Sequence, residues 1–211
     1  MRKVIPTVFA RNKKEFNERL KRLSNISKDI QVDFMDGKFV SEKSIRFSLV
    51  PNLKKFNKNF EAHLMTFWPE KKIGNLKRKG FSKIIFHYES TKNFEEVSKK
   101  IKDAGMKSFV AVNPKTSLKK IFPILPYVDG VLLMGVRPGR EHQKFINSVY
   151  KKIEELKKSF PKIIIQIDGG VNLLTAKQLK KAGADVLNTG SFVADAKNPR
   201  LALEELKRVF I

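Results

Sequence analysis

Ile163-Ile164-Ile165-Gln166-Ile167-Asp168-Gly169-Gly170, followed by a segment ending in Ala182-Gly183 and then by Val186-Leu187-Asn188-Thr189-Gly190-Ser191, decides the fold. A β-branched apolar run, a glycine pair, a glycine helix stop and a second short apolar run make one strand–helix–strand unit. Working outward in both directions, the same unit recurs along the chain. Strands are predicted at residues 4–9, 30–35, 60–65, 83–86, 107–112, 130–134, 163–168 and 186–189. Between them, Phe16, Leu20 and Leu23 share one helical face, Phe94, Val97 and Ile101 a second, and Phe145, Val149, Ile153 and Leu156 a third. Gly80, Gly105 and Gly183 stand where left-handed helix stops are expected, each just before a strand. Eight such units without a linker predict a single α/β domain over residues 1–211, a (β/α)8 TIM barrel. The open doubly wound alternative lacks its glycine fingerprint after the first strand, where Ala10-Arg11-Asn12-Lys13 stands.

Composition narrows the function classes. The apolar runs at 131–136 and 163–165 are far shorter than the roughly 20 residues needed to cross a bilayer, so no membrane partner is expected. Met1-Arg2-Lys3 and the apolar residues after it imitate a signal sequence, but Pro6 interrupts the run and a charged helix follows, so the segment reads as a first strand. The absence of cysteine excludes disulfides, thiolate zinc clusters and a cysteine nucleophile, and agrees with a cytoplasmic location. The net charge of +23 raises nucleic acid as a partner. The lysines, however, are spread over nearly every predicted helix, alternate with Glu, and come with no stacking array of aromatics. A solvated basic surface is the simpler reading, and its field would draw in a small anionic substrate. Homo-oligomerisation is left open.

Chemistry in such barrels sits at the carboxyl ends of the strands. Asp33 and Asp168 lie within apolar strands, where a carboxylate needs a compensating partner. Capping a following helix is the plain structural alternative for each. Asp36, before Gly37, reads as a turn former. His63 ends the third strand; with the two acids it could hold a divalent cation or move protons. His87, ending the fourth, reads as a supporting residue, and His142 belongs to a loop. Met35, Met65 and Met134 end three strands and suggest a polarizable lining around a reacting carbon. Gly169-Gly170 and Gly190-Ser191 follow the seventh and eighth strands, where barrels commonly cradle a phosphate with backbone N–H groups.

In order along the chain, Val32-Asp33-Phe34-Met35-Asp36-Gly37-Lys38-Phe39-Val40, Ala62-His63-Leu64-Met65 with Pro69-Glu70, Phe86-His87-Tyr88-Glu89, Asn113-Pro114-Lys115-Thr116, Val128-Asp129 with Leu133-Met134, Asp168-Gly169-Gly170-Val171 and Ala182-Gly183-Ala184-Asp185 with Gly190-Ser191 resemble the ribulose-phosphate 3-epimerase family, over essentially the whole chain. The resemblance implies a barrel of the ribulose-phosphate-binding type. It also implies inversion at C3 of a ketose phosphate, most directly ribulose 5-phosphate to xylulose 5-phosphate, by two aspartates on opposite faces of the sugar, matched here by Asp33 and Asp168. It implies a divalent metal (Mn, Mg, Fe or Zn) on Asp33, His63 and Asp168, and a substrate contact from Thr7. The chain departs from the family at two places that matter. Gln31 stands where a fourth metal-binding histidine is expected, which points to a weak or absent metal, with the Gln31 amide as an alternative donor to the enediolate. The loop expected as Pro-Gly-Phe-Gly-Gly-Gln reads Pro138-Gly139-Arg140-Glu141-His142-Gln143, so Arg137 or Arg140 would have to supply phosphate charge by side chain. The rival readings are an epimerase of a related ketose phosphate such as allulose 6-phosphate, and an inactive basic barrel that binds anions or RNA. Decarboxylases of the same superfamily use an Asp-x-Lys pattern; here Met35 stands two residues after Asp33, which speaks against decarboxylation.

Overall fold

The structure is a computed structural model describing residues 2–211; Met1, the first residue of the basic start, lies outside the described residues. The strands are β1 (Lys3–Val8), β2 (Asp29–Met35), β3 (Asn59–Met65), β4 (Phe81–His87), β5 (Lys107–Val112), β6 (Gly130–Met134), β7 (Ile164–Asp168) and β8 (Val186–Thr189). All pair parallel in sequence order, and β8 closes on β1 to complete a barrel. The α-helices are α1 (Lys13–Ser24), α2 (Ile73–Lys79), α3 (Phe94–Asp103), α4 (Ser148–Ser159), α5 (Leu173–Ala182), α6 (Ser191–Ala194) and α7 (Pro199–Phe210).

Strand period two divides the barrel into two layers. In β2, Ile30, Val32 and Phe34 join the large core between sheet and helices, which also takes Phe16, Leu20 and Leu23 from α1. Gln31 and Asp33 alternate with them, and Gln31 touches Asp168 on the non-neighbouring β7. Such a contact is possible only across the barrel interior. The inward positions are therefore the polar ones, with a smaller apolar plug of Ile85, Phe109, Ala111, Leu132 and Met134 among them. Removing one of the fully buried α1 leucines would cost about 2–5 kcal/mol, so this outer core holds the strands that carry the site.

The structure corrects the predicted regularity. Two connections, β2 to β3 and β5 to β6, contain 3-10 turns and no α-helix among the described residues: Phe47–Leu49 and Leu53–Phe56 in one, Leu118–Lys120 and Phe122–Tyr127 in the other. Pro51, Pro123 and Pro126 explain this, because proline lacks the N–H that continues a helix. Phe145, predicted on the α4 face, precedes that helix and packs its ring against Gly135, where an added Cβ would lie 2.5 Å from it. Phe9 falls just past β1, and β4 begins two residues before the predicted 83. Gly80 and Gly183 cap α2 and α5 in the left-handed conformation as expected.

Candidate active site

Barrel register assembles the site. Thr7 pairs with Gln31, Asp33 with His63, Met35 with Met65, Met134 with Asp168, and Asp168 with Asn188. Residues far apart in sequence thus reach the same height at the carboxyl ends of their strands. A cavity of about 90 Å³ opens there, walled by Thr7, Phe9, Asp33, Met35, Met65, Met134, Asp168, Gly169, Gly170, Asn188, Gly190, Ser191 and the loop 136–143. A larger hollow, about 470 Å³, lies at the opposite end of the barrel near Glu61 and Lys83, but the unpaired acids are not there.

The two acids share one pair of donors. Gln31 Nε2 lies 3.0 Å from Asp33 Oδ1 and 2.6 Å from Asp168 Oδ2, with Thr7 Oγ1 at 3.3 Å. His63 Nδ1 lies 3.1 Å from Asp33 Oδ1 and 3.2 Å from Asp168 Oδ2. Burial, and then the like charge of Asp168, push the Asp33 carboxyl up to about 6, against the pull of His63. Burial alone would lower His63; its hydrogen bonds to Asp168 and Asp33 outweigh this and raise it to about 10. His63 is therefore an imidazolium at neutral pH in the absence of a metal. Asp168 does not cap α5, because Asn172 does so through a reciprocal capping box with Thr175. Asp36 is the turn former expected: its carboxylate accepts from the backbone of Lys38, Phe39 and Phe67, which together hold it below the usual range although burial opposes them.

Behind His63 the polar chain continues outward. Its Nε2 lies 3.0 Å from His87 Nε2, and His87 Nδ1 faces Glu89 Oε2 at 3.4 Å. Burial lowers His87 to about 4, so the neutral ring accepts from His63 and directs its own N–H toward Glu89. Glu89 is fixed in turn by the Asn113 N–H at 3.0 Å and by the Thr116 hydroxyl at 2.5 Å. The link to His63 was not legible beyond a supporting role for His87, since it spans three strands and two loops. Asn188 was also missed; an amide inside the short apolar β8 is the signal that would have found it.

Asp33, His63 and Asp168 could hold a metal ion: one ligand atom from each lies within 4.8 Å of the others. The donor set suits one, being two carboxylates and an imidazole whose other nitrogen is already oriented. Gln31 is fully buried, and its Oε1 has no partner among the described residues, so an orphaned neutral oxygen stands beside the cluster.

The sequence model of the ribulose-phosphate 3 epimerase family matches residues 3–194. The chain belongs to the ribulose-phosphate 3-epimerase family. Among epimerases of that name, the Schizosaccharomyces pombe protein is 32% identical over 210 residues, covering 97% of this chain and 92% of that protein. The cytoplasmic isoform of Oryza sativa is 30% identical, covering 98% and 93%. A Mycobacterium tuberculosis protein is 34% identical over 184 residues, covering 85% and 80%. Among solved structures, KGPDC from Streptococcus mutans superposes with a TM-score of 0.78 at 15% identity, over 99% of this chain and 98% of that one. A 3-hexulose-6-phosphate synthase gives 0.75 at 15% identity, over 100% of both. These two establish the barrel fold alone. Among the described residues, no helix is long and apolar enough to cross a membrane.

Proposed function

We propose that this chain interconverts D-ribulose 5-phosphate and D-xylulose 5-phosphate by two-base proton transfer at C3. One observation carries the reading: Asp33 and Asp168 reach one cavity from opposite sides of the barrel and share the same donors, His63 and Gln31. One carboxylate removes the C3 proton, and the electron pair passes to the C2 carbonyl oxygen to give a cis-enediolate. The other acid, protonated at the start, delivers its proton to the opposite face. The two then hold exchanged protonation states, and the reverse reaction or exchange with water resets them. A carboxyl raised to about 6, as at Asp33, is suited to both roles near neutral pH.

Asp33, His63 and Asp168 are the residues that would hold a divalent metal, which when bound supplies Lewis-acid stabilisation of enediolate charge. Gln31 bridges the two carboxylates by donating from Nε2 to both, which leaves its carbonyl Oε1 available beside the cluster. Met35, Met65 and Met134 exclude water from the reacting carbon, and Thr7 bonds a sugar hydroxyl. Gly169, Gly170, Gly190 and Ser191 line the cavity and make its phosphate end, where backbone N–H groups would meet the anion. The dispersed basic surface speeds encounter with this anion and needs no nucleic acid to account for it. We place the reaction in the cytoplasm, in keeping with a cysteine-free chain.

The test is conversion of ribulose 5-phosphate by the purified protein, with C3 proton exchange followed in deuterated water. Epimerisation with solvent deuterium entering C3 is expected. Inactivity on this ketose but turnover of a six-carbon ketose phosphate would transfer the mechanism to that substrate; inactivity on both would end the reading.

A further inference from the structure

The phosphate end of the cavity already holds an anion belonging to the protein. Glu141, in the loop between β6 and α4, directs its carboxylate at the glycine cradle: Oε1 lies 3.4 Å from where a Cβ on Gly190 would stand. Burial raises this carboxyl above its ordinary value. Among the described residues its salt-bridge partner is Arg19 of α1, at 3.5 Å, and that guanidinium is also claimed by Glu15 at 3.6 Å and Asp195 at 3.3 Å. Arg19 is thus shared among three carboxylates and brings little net charge to the cradle, while Arg137 and Arg140 line the same cavity and would supply the rest. Space is short. About 90 Å³ is free in the cavity, below the ~300–1,000 Å³ of ordinary small-molecule pockets.

The loop is built so that Glu141 can move without the rest. The Gln143 side-chain amide donates to the carbonyls of Arg137 at 2.7 Å and Arg140 at 2.8 Å, stapling the loop on either side of Pro138 and Gly139. No comparable bond holds the Glu141 side chain beyond its long contact to Arg19.

We propose that Glu141 is a specificity-determining residue, a resident carboxylate that occupies the phosphate subsite and must be displaced from it, releasing its share of Arg19, before a phosphorylated substrate can bind. The inference rests on the reading of the substrate as a ketose phosphate. Phosphate affinity is then set by competition between two anions for one cradle, and substrate binding opens the space that the resting cavity lacks. A like charge a few ångströms away in a partly buried site is worth at least about tenfold in binding. The other role open to the carboxylate, accepting a hydrogen bond from the terminal hydroxyl of an unphosphorylated sugar, predicts the opposite response to its removal.

The experiment is calorimetric titration of inorganic phosphate into the wild type, Glu141→Gln, Glu141→Ala and Arg19→Gln, with KM measured on ribulose 5-phosphate and on unphosphorylated ribulose. Both Glu141 variants are expected to bind phosphate about tenfold or more tightly and to show a matching fall in KM for the phosphorylated sugar; Arg19→Gln is expected to weaken phosphate. A gain of affinity is a result that mere loss of packing does not give, and the paired Gln and Ala variants guard against a folding defect in either. Unchanged or weaker phosphate binding in both Glu141 variants overturns the proposal, as does loss of activity on the unphosphorylated sugar alone. A wild type without epimerase activity but with tighter phosphate binding in the Glu141 variants would overturn the proposed reaction and leave the displaced anion standing.

Discussion

The barrel interior carries two buried polar clusters, one toward each end, which share β3 and β7, with Asn188 of β8 reaching from the mouth cavity to the lower one. At the amino-terminal end Glu61 meets Lys83 at 2.6 Å, Gln166 at 2.5 Å and Asn188 at 2.8 Å, while Gln166 also bonds Asn188. One carboxylate there faces one ammonium, and the amides fill the remaining bonds. At the carboxyl end two carboxylates face one imidazole and one amide, with raised pKa values at Asp33 and His63. The base of the barrel is neutralised and the mouth is not. Burial therefore does not distinguish structure from chemistry in this molecule; uncompensated charge does.

That contrast is broken most severely by removing the acids. Asp33→Asn and Asp168→Asn should each lower kcat by about 10²–10⁴-fold while the thermal midpoint stays the same or rises, because each relieves a like-charge pair. Either variant epimerising near the wild-type rate would show that the charge at the mouth is not catalytic. At the other end the pattern should invert. Lys83→Met leaves Glu61 buried and unpaired, with an expected loss of about 3–5 kcal/mol in urea denaturation, while kcat per folded molecule is retained. The double change Glu61→Leu with Lys83→Met should recover much of the loss. A stable, inactive Lys83→Met would mean that the base takes part in the reaction.

Most of this organisation was legible in the chain because it follows from the period of the strands. Asp33 in Ile30 to Met35 and Asp168 in Ile164 to Asp168 interrupt apolar runs at inward positions, and an unpaired acid there has few structural explanations. Gln166 and Glu61 interrupt their runs in the same way, yet their direct bond, and the Lys83 ammonium that reaches both, depend on barrel closure, which brings β3, β4 and β7 together and which no local pattern encodes. The helix count was overestimated for a local reason: Pro123 and Pro126 fall where a helix would be needed, and the strand pattern on either side gives no sign of it. The Glu141 carboxylate was visible as a departure from the family's loop, but its position over Gly190 comes from loop conformation alone.

A milder change sharpens the comparison by acting on the mouth from behind. His87 holds His63 through Nε2, so that Nδ1 is the atom turned toward both acids. Loss of such an outer partner typically weakens metal binding about 10–100-fold. His87→Ala should therefore bind Mn²⁺ that much more weakly in a chelator competition, with Asp33 and Asp168 still in place. Glu89→Gln, one step further out, should show a smaller effect of the same sign. Equal Mn²⁺ affinity in wild type and His87→Ala would reduce the histidine pair to packing.

The smallest effect is in the pH dependence of stability, and its sign separates the two ends. His63 is raised to about 10 in the folded metal-free protein and returns to about 6.5 on unfolding, so the native state binds more protons between those values. Its stabilisation is complete below 6.5 and is lost as pH rises toward 10. Asp33, raised to about 6, acts in the same direction below that pH, but His87, lowered to about 4, opposes it there, which leaves 6.5 to 10 as the clean window. In chelated protein the slope attributable to one proton is at most about 1.4 kcal/mol per pH unit. Urea denaturation of the wild type across that window should show stability falling relative to His63→Gln, and an ion bound at the mouth should reverse the trend, because metal binding at neutral pH must expel the proton on Nδ1. Calorimetry of Mn²⁺ binding in buffers of different ionisation enthalpy counts that proton directly. A wild type and a His63→Gln variant with parallel stability profiles, and no proton released on metal addition, would mean that His63 is neutral in the folded protein and supplies no positive charge to the two acids it faces.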